Sequence, residues 1–242
     1  MTHPSILEGA ALFDDLLAVP AAVVTFYVLK DESGLYLIDT GFINGPRLLR
    51  RALRDRGWVH LPIRGVLLTH GHLDHTLNAV KYARRYGAWI AGPRLDADHY
   101  LGRWKYRGLS RVTWALEGAG RVLSRHQTFT PDRWIDPDDE LPIWGGLRAV
   151  HVPGHTAGHT AYYSPSRKVL FSADLFNSLP GWPLPPPDIF NSFPDQIPAA
   201  IDTALALDLA GLFPNHCDAA ATPAVHLERM RWLQRRFHRR RS

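Results

Sequence analysis

Residues 70–75 read HGHLDH, three imidazoles and one carboxylate in six positions. A chain with 13 His would produce this pattern by accident about once in four hundred sequences of its composition, so the run calls for a chemical explanation. Imidazole nitrogen and carboxylate oxygen suit zinc, manganese or iron. Side chains alternate along extended backbone, so His70 and His72 should point one way, while Asp74 and His75 turn toward a second point as the chain enters a helix. Further candidates stand in VHVPGHTAGH (His155, His159), VLFSAD (Asp174) and GLFPNH (His216). Cys217 is the only cysteine, so a cysteine-rich zinc knuckle is excluded and a metal would be held by nitrogen and oxygen. Leaving His159 aside, seven such ligands can fill two sites and leave room for solvent, which points to a dinuclear centre.

These residues act together only if the elements that carry them converge. Strand patterns are expected in AAVVTFYVLK and GLYLIDTG, joined by the turn DESG, because β-branched and aromatic residues are bounded by Gly and Asp. GPRLLRRALRDRG predicts a helix with Pro near its start and Gly past its end. IRGVLLTH, AWIAGP, GLRAVHVPG, AYYSP, KVLFSAD and GLFPNH follow as strands; TLNAVKYARRYG and PDQIPAAIDTALALDL follow as helices. Each ligand motif closes an apolar strand. Strand-helix alternation predicts an α/β layered fold in one domain spanning 1–242, with chemistry where loops leave strand ends.

The set HGHLDH, PGHTAGH, SAD and PNH, with LIDTG at 37–41, resembles the metallo-β-lactamase-fold hydrolase superfamily in order and spacing over essentially the whole chain. The resemblance implies a four-layer αββα sandwich with two divalent metal ions at one edge, zinc foremost and manganese or iron as alternatives. It assigns His70, His72 and His155 to one metal, Asp74, His75 and His216 to the other, and Asp174 as a bridge. Asp39 and His159 are expected to support the ligands from behind by hydrogen bonds. His151 is expected to be merely packed, and Cys217 to be a small buried thiol.

Two metals about 3.5–4 Å apart would activate a bridging hydroxide, so hydrolysis is the expected reaction, with Asp74 steering the nucleophile and protonating the leaving group. Members with a bridging Asp are the esterase, lactonase, thioesterase and phosphodiesterase branches, so a β-lactam is disfavoured as substrate. Similarity to lactonase and glyoxalase II-like members favours an ester, lactone or thioester. A phosphodiesterase or ribonuclease is the alternative, and a sulfur-oxidising role fits less well because all seven ligands are present. Segments 94–146 and 176–195, expected as insertions beside the pocket, carry Trp104, Tyr106, Trp114, Phe129, Trp134, Trp144, Phe176, Trp182, Phe190 and Phe193. They are expected either to wall a pocket for an apolar acyl or aromatic group or simply to pack on the core.

The net charge of +5 is concentrated in the tail ERMRWLQRRFHRRRS. There Leu227, Met230, Leu233 and Phe237 recur at helical spacing, which predicts a packed terminal helix with a solvated basic face rather than a nucleic-acid site. The N-terminal stretch lacks a signal-peptide pattern and no apolar run is long enough to span a bilayer. A cytoplasmic protein with a small-molecule substrate and no membrane partner is therefore expected. The sequence leaves the oligomeric state open, a homodimer included.

Overall fold

The computed structural model describes residues 13–179 and 183–239. In chain order they form β1 (Leu16–Ala21), β2 (Val24–Asp31), β3 (Gly34–Ile38), α1 (Gly45–Asp55), β4 (Ile63–Leu67), α2 (Leu73–Thr76), α3 (Ala79–Tyr86) and β5 (Trp89–Pro93). After these come α4 (Ala97–Tyr100), α5 (Arg111–Leu123), β6 (Arg133–Ile135), β7 (Glu140–Leu141), β8 (Leu147–His151), β9 (Thr160–Ser164) and β10 (Val169–Ala173). The last elements are β11 (Asn177–Ser178), β12 (Pro183–Leu184), α6 (Ile197–Leu205), β13 (Gly211–Pro214) and α7 (Pro223–Arg239).

Strands β1 to β6 form one sheet in sequential order, and a second sheet runs β13-β10-β9-β8-β7. The alternation of side chains sorts each strand onto two faces. In the first sheet Phe26, Val28, Leu35 and Leu37 pack outward with Leu49 and Leu53 of α1 and Tyr82 of α3. Their neighbours Tyr27, Leu29, Tyr36 and Ile38 point inward, where they meet Ala149, Tyr162, Phe171 and Phe213 of the second sheet. That sheet's outer face, including Ala161, Tyr163, Leu170 and Leu212, is covered by Ile201 of α6 and by Leu227, Met230 and Leu233 of α7. The result is helix, sheet, sheet, helix, as expected, and the basic tail packs through the predicted apolar stripe.

Three expectations need correction. AAVVTFYVLK is not one strand: the chain reverses at Ala22–Val23, where Ala22 has φ 62°, and β1 pairs antiparallel with β2. Its first partner, LLAVPA, precedes the predicted segment, and its Pro20 sits on a sheet edge, where a missing N–H is tolerated. TLNAVKYARRYG is interrupted, since a short α2 and the turn at Leu77–Asn78 precede α3. The segment 94–146 is only partly an insertion, because β6 extends the first sheet parallel to β5 and Ile143 and Trp144 lie between the sheets.

Candidate metal centre

Both sheets end at the same edge. Thr160 N–H donates to the Thr69 carbonyl (3.0 Å) and Tyr162 Oη donates to the Leu68 carbonyl (2.8 Å), so the end of β4 is tied across to β9. Asn215 N–H similarly donates to the Ala173 carbonyl (3.2 Å). The loops after β4, β8, β10 and β13 therefore meet in one place.

Residues His70, His72 and His155 bring one ligand atom each within 4.8 Å of one another, and Asp74, His75, Asp174 and His216 form a second such group. Asp174 links the two: its carboxylate lies 3.4 Å from His155 Nε2, 3.4 Å from His75 Nε2 and 3.0 Å from His216 Nε2. His72 has extended backbone (φ −71°, ψ 156°) immediately before α2, which is the alternation that aligns it with His70 and turns Asp74 and His75 away. The Nε2 atoms of His70, His72, His75 and His155 and Asp174 Oδ1 are buried without any hydrogen-bond partner. Buried polar atoms are ordinarily paired, so five orphaned lone pairs facing one small volume match what cations require.

Hydrogen bonds hold several of these candidate ligands from behind. Asp39, wholly buried with φ 62°, accepts from His75 Nδ1 (2.8 Å), Thr69 N–H (2.9 Å), Thr69 Oγ1 (2.9 Å) and Asn215 Nδ2 (2.8 Å). His159 donates from Nδ1 to the Val152 carbonyl (2.9 Å) and accepts at Nε2 from Asp174 N–H (3.1 Å). Both its nitrogens are thus occupied and it sits behind Asp174. His216 Nδ1 donates to the Val23 carbonyl (2.8 Å), and His155 Nδ1 donates to Asn191 Oδ1 (2.9 Å). His151 bonds the Ala157 carbonyl (2.8 Å) outside the cluster, and Cys217 is half-buried rather than buried.

Charge divides the two groups. Burial, reinforced by neighbouring imidazoles, holds His70 and His72 well below the ordinary histidine range, and burial also lowers His155. Burial alone would raise Asp174, but His216 and His75 hold its carboxyl well below the usual range. Asp74 is lowered likewise, burial being overcome by His75 and His216. Conversely His75 rises well above its usual value against the opposing effect of burial, because Asp174, Asp74 and Asp39 surround it, and Asp174 pushes His216 up to about 10. The first group is thus biased toward neutral imidazole, while the second sets two carboxylates beside two imidazoles biased toward the proton, a proton that a bound cation would displace.

Several supporting residues carry no signal in the sequence. Asp96 is buried and accepts from Gly71 N–H (2.9 Å), Thr156 Oγ1 (2.7 Å) and Gly158 N–H (2.7 Å), pinning the two histidine loops together. Glu117 on α5 accepts from Leu73 N–H (3.0 Å), Tyr106 Oη (2.6 Å) and Arg121 (2.8 Å). Each is an isolated polar residue in an irregular stretch or on a helix. Asn215, by contrast, stands inside the PNH motif.

Above the ligands lies a cavity of about 450 Å³ whose walls include Phe42, Leu73, Leu116, Pro186, Pro187 and Phe190, with Asp74, His155, Asp174 and His216 at its base. The expected aromatic wall is mostly elsewhere. Trp144 and Phe176 are core residues, and Phe129 and Trp134 pack on the outer cluster of the first sheet. Trp104, Tyr106 and Trp114 line a neighbouring surface hollow, and Phe193 lies under Arg107 (5.1 Å). Trp182 lies outside the described residues. Among the described residues, Phe190 is the one expected aromatic on the cavity wall, which Phe42, Leu73, Leu116 of α5 and the turn at Pro186 and Pro187 otherwise form.

A sequence profile of the metallo-beta-lactamase superfamily matches residues 19–216. The chain belongs to this superfamily. It is 32% identical over 151 residues to a hydroxyacylglutathione hydrolase of Haemophilus influenzae, covering 61% of this chain and 64% of the relative. It is 28% identical over 162 residues to a hydroxyacylglutathione hydrolase of Rhizobium meliloti, covering 64% and 51%. The chain thus spans about half to two thirds of the length of these relatives. The crystal structure of a metallo-beta-lactamase family protein from Thermus thermophilus superposes with a TM-score of 0.74 at 20% identity, covering 95% of this chain and 81% of that one, a likeness of fold.

Proposed function

We propose that this protein is a dinuclear-metal-dependent hydrolase of a carboxylic thioester or ester, with a lactone as a further substrate of the same class. The observation that carries the reading is the convergence of orphaned, buried Nε2 atoms with an ionised Asp174 between them. On this reading His70, His72 and His155 would hold one divalent cation and Asp74, His75 and His216 the other, with Asp174 available to both groups and zinc the best match to the donor set. Bound there, the cations would supply Lewis acidity and lower the pKa of water toward neutrality.

The remaining work falls to the chain. Asp74 faces the cavity and is held as a carboxylate by His75 and His216, so its oxygen can accept a proton from the attacking water and return it to the leaving sulfur or oxygen. Leu73, Leu116, Phe42 and Phe190 would bury an apolar acyl group and exclude bulk water. The names of the two relatives favour a hydroxyacyl thioester of glutathione within this class. Among the described residues the cavity wall carries no Lys or Arg, so it suits the apolar acyl end of a substrate better than an anionic group such as a phosphate diester.

The test is a substrate panel on zinc- or manganese-loaded protein: S-lactoylglutathione, an aryl ester, an acyl lactone and a bis-aryl phosphate. The reading predicts turnover of an acyl substrate at least about 100-fold faster than the phosphate diester, and loss of about 10³-fold or more in His72→Ala. A preference for the phosphate diester would reverse the assignment.

A further inference from the structure

Helix α5 presents an outer face that no other described residue covers. Its inner face is fixed: Gly120 packs on Leu73, where an added Cβ would come within 2.9 Å of a methyl group, Glu117 bonds α2, and Thr113 donates to the Ile189 carbonyl. Leu116 sits at the edge of that inner face, where it also lines the cavity, and beyond it Val112, Val122 and Leu123 are exposed, with Leu109 and Trp114 exposed nearby; each of the six is at least 52% exposed. Small Ala115 and Ala119 are exposed between them. Spacing of four, three and four residues lines up Val112, Leu116, Ala119 and Leu123 as an apolar stripe, and Trp114 stands apart from it beside the neighbouring hollow. Exposed apolar patches of several hundred Å² are uncommon on soluble chains unless they meet something.

The charge around the stripe says what it meets. From 103 to 125 the chain carries Arg103, Lys105, Arg107, Arg111, Arg121 and Arg125 against the single carboxylate Glu117. Glu117 is taken by the buried Arg121 (2.8 Å), and the one carboxylate of Asp98 is shared between Arg103 (2.9 Å) and Lys105 (2.5 Å). Arg107, Arg111 and Arg125 are exposed and have no ion pair among the described residues. A second copy docking through this face would bring these cations against their own equivalents, which like-charge repulsion opposes. An apolar stripe with an exposed Trp and flanking cations instead complements a bilayer surface with anionic headgroups.

We infer that the outer face of α5 docks this protein onto an anionic lipid surface. No helix among the described residues is long and apolar enough to cross a membrane, so the contact is interfacial. The sequence expectation of no membrane partner rested on spanning length and left such a contact unaddressed. Leu116 lines the catalytic cavity on one side and belongs to the stripe on the other. Docking therefore sets the cavity mouth beside the acyl region of the bilayer. The docking itself stands independently of the bond that is hydrolysed.

The experiment is co-sedimentation of the metal-loaded chain with vesicles of phosphatidylglycerol and phosphatidylcholine against vesicles of phosphatidylcholine alone, at about 0.15 M salt, where screening is near physiological. Wild-type protein should partition at least tenfold more strongly onto the anionic vesicles, with a blue shift of tryptophan emission. Val122→Glu/Leu123→Glu should lose at least tenfold in binding while circular dichroism is unchanged, and Arg111→Gln/Arg125→Gln should lose the preference for anionic vesicles. Wild-type protein that stays in the supernatant without an emission shift overturns the inference. So does undiminished binding by the Glu pair, or a wild-type dimer that this pair converts to monomer.

Discussion

Asp39 illustrates how the ligands are aimed. Its carboxylate takes four donors from three chain segments, and one of them is His75 Nδ1 at 2.8 Å. That bond fixes the ring so that Nε2, the atom left without a partner, faces Asp174. Supporting carboxylates of this kind typically contribute about 10- to 100-fold to metal affinity. Asp39→Asn should therefore weaken the more weakly held cation by about that factor, as read by competition with a chromogenic chelator, while its fold by circular dichroism persists. Unchanged affinity would remove Asp39 from this role. Residues such as His70, His72, Asp74 and His75 were legible in the sequence because their spacing is local and their chemistry is strong. Asp96 and Asn191 were not, because their hydrogen bonds run to loops 25 to 62 residues away, and nothing in sequence spacing encodes which loops will meet.

Elements were legible wherever a periodic apolar pattern was long enough to outvote its neighbours. α1, β3, β10, α6 and α7 follow from such patterns. β1 did not, since its edge position and the reversal at Ala22 depend on pairing with β2, and β6, β7, β11 and β12 are too short, at two or three residues each, to carry a pattern. The wall over the site depends on how α5 and the proline turn dock together, which the aromatic content of those segments could not foretell. One consequence belongs to α7. His226 is buried, bonds Ser178 Oγ at 2.6 Å and lies near Arg229; burial first and Arg229 second hold it down at about 4, against 6.5 ordinarily. Between those values the unfolded chain binds more protons than the folded chain, so this residue makes stability fall as pH drops from about 6.5 to about 4. Thermal unfolding of metal-free protein across that window should show a shallower decline for His226→Gln than for wild type. Parallel declines would mean that His226 does not titrate with folding.

At the scale of the molecule, two sheets that share one apolar interior bring their strand ends to a single edge, and the family match spans the strands that do this. The layers could be anticipated because motif order and strand alternation are global signals. The outer face of α5 could not, because exposure is known only after packing. On the proposed function, seven side chains on four strand ends hold a pair of cations. Elemental analysis of purified chain, after equilibration with zinc and removal of free metal, should find about two ions per chain, whereas a chain that hydrolyses its substrate at full rate with no ion retained would overturn the dinuclear site.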